Sequence, residues 1–151
     1  MPANRTAKRQ GGVMLLEALI AILIFSVGIL AIVGMQATAM KAVTDARSRS
    51  EAALYANQLL AQIWTDAPNA NSYAYAGAGA PPPRLQGWYN LVTGASGSRG
   101  LPGALPPKVT VTSPTAKGGT VKVEVFWQTP EELSQGLPAH NYTVVAAVYA
   151  N

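Results

Sequence analysis

Hydrophobicity along the chain changes character near residue 36. From residue 13 to 35 the only positions that are not large apolar side chains or alanine are Glu17, Ser26, Gly28 and Gly34. Twenty-three residues in a helix span about 34 Å, enough to cross a bilayer core of about 30 Å. Beyond Gln36 the pattern becomes amphipathic: Ala52, Ala56, Leu59, Leu60 and Ile63 recur at helical spacing, with Lys41, Arg47, Arg49 and Glu51 among their polar neighbours. No proline interrupts residues 3 to 67. The pattern predicts one helix from about Val13 to Trp64, about 80 Å at standard rise, with Asp66-Ala67-Pro68 as its stop. Two helices separated at Gln36, with a hinge near Gly34, fit the same pattern.

Residues 67 to 107 contain seven prolines and seven glycines, including Pro81-Pro82-Pro83. No regular helix is expected there, although Tyr73, Tyr75, Trp88 and Tyr89 suggest a packed rather than a solvated connection. Three strands are predicted after it: Lys108 to Thr112, Thr120 to Trp127 and Tyr142 to Ala150. Val121, Val123, Val125 and Trp127 alternate with Thr120, Lys122 and Glu124, which fits a sheet with one dry face. Gly118-Gly119 suits the turn between the first two strands. The last strand is apolar on both faces around Val144-Val145-Ala146-Ala147-Val148, so it is expected to be the more enclosed one. The predicted class is α+β: a long N-terminal helix, transmembrane in its first half, packed on a small antiparallel sheet.

Charge orients this arrangement. Arg5, Lys8 and Arg9 precede the apolar run and no basic residue lies within it, so the N-terminus is expected in the cytoplasm and the polar portion outside it. The apparent basicity, a net charge of +4, comes mostly from these three residues. Without residues 1–12, eight basic side chains face seven acidic ones, and no clustered footprint for nucleic acid is left.

Glu17 needs an explanation. A carboxylate deep in a membrane helix costs on the order of 2.5 to 3.5 kcal/mol, and less near the interface. A secretory signal ending at Ala37-Thr38-Ala39 does not account for it, because the apolar run exceeds the usual h-region of about 7 to 15 residues. A plain signal anchor would tolerate Glu17 without using it. A cut after Gly12 would use it: the new α-amine at Val13 lies four residues before the carboxylate on the same helix face. The carboxylate would also fall near the start of the shortened helix, where negative charge is favoured.

Gly11-Gly12 followed by Val13-Met14-Leu15-Leu16-Glu17 and an unbroken apolar helix resembles the processing motif of type IV prepilins. The resemblance implies a leader of residues 1–12 carrying Arg5, Lys8 and Arg9, cleavage between Gly12 and Val13 by a prepilin peptidase, and N-methylation of Val13. It also implies a role for Glu17 in charge pairing with a neighbouring subunit, and a type IV pilin-like fold. Residues 13–35 would be the transmembrane and assembly half of the helix, 36–66 its amphipathic half, and 67–151 a periplasmic globular part. Family members commonly begin with Phe and often carry a mid-helix proline and a C-terminal disulfide. This chain has Val13, Gly34 and no cysteine, departures that favour a minor pilin or a pseudopilin. Ser26 to Gln36, continued by the Ala-, Arg- and Gln-containing segment from Ala46 to Gln62, looks most like the PilV-type minor pilins. The implied partners are the peptidase, other major and minor pilins, the inner-membrane assembly platform and, before assembly, membrane lipid.

No constellation points to an enzyme or a cofactor. Gly94-Ala95-Ser96-Gly97-Ser98 fails the nucleophile-elbow spacing, and Lys117-Gly118-Gly119-Thr120 lacks the preceding glycine of a phosphate loop. His140 is the only histidine and reads as structural, with no metal expected; Glu131-Glu132 reads as a pair of solvated loop carboxylates. The expectation is therefore a non-enzymatic pilus subunit. The alternatives are a type II secretion pseudopilin, which would share the anchor and the processing, and a membrane-anchored periplasmic binding module.

Overall fold

A computed structural model of the chain describes residues 11–95, 97–115 and 117–149. Arg5, Lys8 and Arg9 lie outside the described residues, as does Ala150. Helix α1 runs without interruption over Gly11–Thr65, so Gly28 and Gly34 do not divide it. A glycine in a helix interior costs about 1 kcal/mol against alanine, which the intact neighbouring turns absorb. Ser26, Thr38 and Thr44 return their hydroxyls to the carbonyls four residues back, at 2.7, 3.2 and 3.0 Å, and so present no free polar group.

The chain divides into two units, residues 1–44 and 45–151. In the first, every described side chain is exposed, including Leu19, Phe25 and Leu30. In the second, burial along α1 begins at Ser48, 5% exposed, and continues through Ala52, Ala56, Leu59, Leu60 and Ile63. The five apolar residues belong to one core with Val121, Val123, Val125 and Trp127, the inward face of the sheet. On the exposed side of α1 an ion pair joins Arg47 to Glu51 at 2.8 Å, an i,i+4 arrangement worth a few tenths of a kcal/mol.

The sheet is an antiparallel meander, in the order β1 (Ala104–Thr115), β2 (Gly118–Trp127), β3 (His140–Tyr149). β1 is longer than its composition predicted. Pro106 and Pro107 lie inside it, at a register shift between Leu105 and Lys108, where an edge strand tolerates the missing donors. Two further expectations change. β3 is an edge strand, not the enclosed one: Val145 is 57% exposed, Tyr149 is exposed, and only Val148 is buried. Tyr142, Val144 and Ala146 pack against the core, whereas the alternate positions of β3, Val145 among them, stay exposed because no described residue covers the outer face of the sheet there. Gly118 and Gly119 are not the turn either. They begin β2, opposite Tyr149 and Val148, and at Gly118 (φ +133°) a Cβ would stand 1.9 Å from the Val148 carbonyl oxygen. The glycine permits two backbones to approach.

The proline- and glycine-rich connection is more regular than its composition suggests. It holds a 3₁₀ segment, Ala67–Tyr73, and helix α2, Gln86–Thr93. The eight residues of α2 contain no proline, bury Trp88 and Val92 one turn apart, and stop at Gly94 in the left-handed conformation. Tyr73, Tyr75 and Trp88 enter the core, and the Trp88 indole N–H donates to the Tyr55 carbonyl at 2.8 Å. These aromatics pack as the sequence suggested. The remaining element, α3 (Pro130–Ser134), lies between β2 and β3.

Candidate functional site

The residues singled out by the sequence lie at the start of α1. Gly11 and Gly12 are already helical, so the Gly12–Val13 bond sits inside a helix whose first turn is intrinsically weak. Val13, Leu16, Glu17 and Ile20 line one face, which follows from their i, i+3, i+4 and i+7 spacing. Val13 is 69% exposed. Glu17 is also exposed, and among the described residues it has no hydrogen-bond or ion-pair partner. Counted from Gly11, where the described helix begins, it lies in the second turn, where backbone N–H groups are bonded within the helix. The dipole gains its full effect on Glu17 only in a helix that starts at Val13. The structure thus brings Val13 and Glu17 onto one face and leaves the carboxylate uncompensated.

The second unit holds two polar clusters. Asp66, just past α1, accepts from the Asn69 amide at 2.6 Å and the Tyr73 hydroxyl at 3.0 Å, and pairs with Arg84. The Asn69 hydrogen bond, with those from Tyr73 and Arg84 and the positive charge of Arg84, holds the Asp66 carboxyl below its ordinary value against the opposing effect of burial. This cluster fastens the end of the helix to the 3₁₀ segment and to the approach to α2.

The other cluster was missed by sequence reasoning. Glu132 is not a solvated loop residue: it is 4% exposed and sits in α3. Thr129 and Glu132 form a reciprocal capping box, the Thr129 hydroxyl accepting from the Glu132 N–H at 3.3 Å and the Glu132 Oε2 accepting from the Thr129 N–H at 2.9 Å. Its other oxygen, Oε1, lies 2.8 Å from His140 Nε2. The His140 hydrogen bond, followed by those from Thr129, lowers the Glu132 carboxyl to about 2. The His140 ring stacks on Trp127, its partner in the β2–β3 register, with centroids 5.6 Å apart and planes 18° from parallel. Asp45 of α1 completes the group: one ligating atom from each of Asp45, Glu132 and His140 lies within 4.8 Å of the others. The signal for part of this was present in the sequence, since Thr129-Pro130-Glu131-Glu132 is a capping-box pattern. No local pattern announces Asp45.

These features define an α+β protein with one helix long and apolar enough to cross a membrane and a separate compact unit with its own core. No protein family, curated protein or solved structure matches the chain.

Proposed function

We propose that this chain is a prepilin of the type IV pilin superfamily, a minor pilin resembling the PilV type, anchored in the bacterial inner membrane before it enters a pilus. The observation that carries the reading is the combination at the head of α1: a Gly-Gly dipeptide, Val13 and an unpartnered Glu17 on one face, followed by an apolar stretch with no buried side chain. Cleavage after Gly12 supplies the missing cation. The α-amine of Val13, from the same or a neighbouring subunit, pairs with the Glu17 carboxylate as helices pack together. Residues 13–35 exchange lipid for neighbouring apolar helices, a nearly balanced transfer because lipid tails are as apolar as the side chains they replace. Helical glycines 11 and 12 reduce the cost of unwinding the bond that the peptidase must grip. Val13 in place of Phe, Gly34 in place of proline and the absence of cysteine support a minor rather than a major pilin. The compact unit contributes a surface, not catalysis.

N-terminal sequencing and intact mass of the protein purified from membranes containing a prepilin peptidase test the reading. A chain beginning at Val13 and carrying one added methyl group is expected. An intact leader, or a start after Ala39, overturns it.

A further inference from the structure

The Asp45, Glu132 and His140 cluster does more than close an ion pair. Two of the three groups are already fixed. Burial and the Thr129 N–H hold the Glu132 carboxylate, and the Trp127 stack holds the imidazole plane. Such support behind ligating groups is how proteins orient metal donors before the ion arrives. The Glu132–His140 pair by itself would satisfy both partners and would need nothing further. Asp45 is what it leaves unexplained. This second carboxylate is half-buried, lies within 4.8 Å of the pair, and has no hydrogen-bond or ion-pair partner among the described residues. A proton shared between Glu132 and His140 serves those two only, whereas a divalent cation serves all three.

We propose that Asp45, Glu132 and His140 form a binding site for a divalent transition-metal ion, with Zn²⁺ the best chemical fit. Ligands bound at about 2.1 Å stand about 3.0 to 3.4 Å from one another in octahedral or tetrahedral coordination. The 2.8 Å separation of Nε2 and Oε1 is near that already, and the remaining separations, within 4.8 Å, close by rotation of the Asp45 side chain. One imidazole nitrogen and two carboxylate oxygens suit zinc and its first-row neighbours. Calcium and magnesium take all-oxygen shells with more donors than this cluster offers. Three protein donors leave room for water or for a donor from another molecule. The ion ties Asp45 of α1 to Glu132 of α3 and His140 of β3, which lie far from it in sequence, and so crosslinks the compact unit at the point where it begins.

The test is calorimetric titration of zinc chloride into the untagged, metal-stripped full chain in detergent. One Zn²⁺ per chain is expected, with a rise in melting temperature and no competition from calcium. His140→Ala is expected to abolish uptake. Because that variant also removes the Trp127 stack, Asp45→Asn is the sharper arm: Asp45 makes no hydrogen bond among the described residues, so the metal-free variant keeps the wild-type circular dichroism and melting temperature while zinc affinity falls by about tenfold or more. Absence of saturable uptake by the wild type, wild-type affinity in Asp45→Asn, or displacement of zinc by equimolar calcium overturns the proposal.

Discussion

Deleting residues 1–43 is expected to yield a soluble, cooperatively folding protein. The perturbation removes no core residue, since the buried side chains begin at Ser48. It also removes most of the exposed large apolar side chains: eighteen lie between Val13 and Val43, against seven in the rest of the described residues. The shortened helix gains a usable start. Thr44, whose hydroxyl now bonds to the Met40 carbonyl, becomes free to cap the first turn, with Asp45 beside it at the favourable end of the dipole. Two substitutions on one helix then measure what the core contributes. Leu59 is fully buried and Leu54 is 65% exposed, so Leu→Ala is the same chemistry in two environments. At Leu59 the lost transfer energy and the cavity together cost about 2.7 to 5 kcal/mol; at Leu54 the change stays within about 0.5 kcal/mol. With a urea m-value of about 1.5 kcal/mol/M, the first lowers the midpoint by about 2 to 3 M and the second leaves it nearly in place. Urea titrations followed by far-ultraviolet circular dichroism read both. An insoluble fragment, a transition without cooperativity, or equal shifts for the two variants would refute this partition of the chain.

Three further outcomes follow. Gly118→Ala should cost several times what Gly79→Ala costs in melting temperature, because at Gly79 (φ +77°) an added Cβ meets nothing within 4 Å while at Gly118 it strikes the Val148 carbonyl; equal losses would mean that only backbone conformation matters there. Because the folded carboxyl of Asp66 is held below its unfolded value, its contribution is complete above about pH 4 and is lost as the pH falls through the lower folded value. Asp66→Asn should therefore flatten the acid limb of the stability profile, and an unchanged limb would remove Asp66 from the account. Glu17→Ala should still be cleaved after Gly12 but should be depleted from sheared pili relative to membranes by immunoblot; normal incorporation removes the charge-pairing step.

Much of the fold could be read from the sequence where a single physical signal dominated. An unbroken apolar run without proline specifies α1, and strict alternation from Val121 to Trp127 specifies the central strand and its dry face. Legibility failed where tertiary context outweighed composition. Apolar residues on both faces of β3 suggested enclosure, but enclosure depends on what packs over each face, and Val145 lies on the uncovered one, which no local pattern records. A glycine pair between strands suggested a turn because a close backbone approach leaves the same trace in sequence. Of the candidate residues, Val13 and Glu17 follow from helical spacing alone. Glu132 and His140 meet only because a capped five-residue helix returns the chain beside the end of β2, and Asp45 joins them from the far end of the sequence.

The exposure of every described side chain before Asp45 has a genetic consequence. A substitution between residues 13 and 43 that keeps the segment apolar removes no contact within the chain, so a mutational scan scored on correct folding of the compact unit should be flat there and should become textured from Ser48 onward. Any pattern of sensitivity that an assembly screen then finds along the silent stretch reports contacts with other molecules alone. Its period, read against 3.6 residues per turn, would map the faces that neighbouring helices occupy.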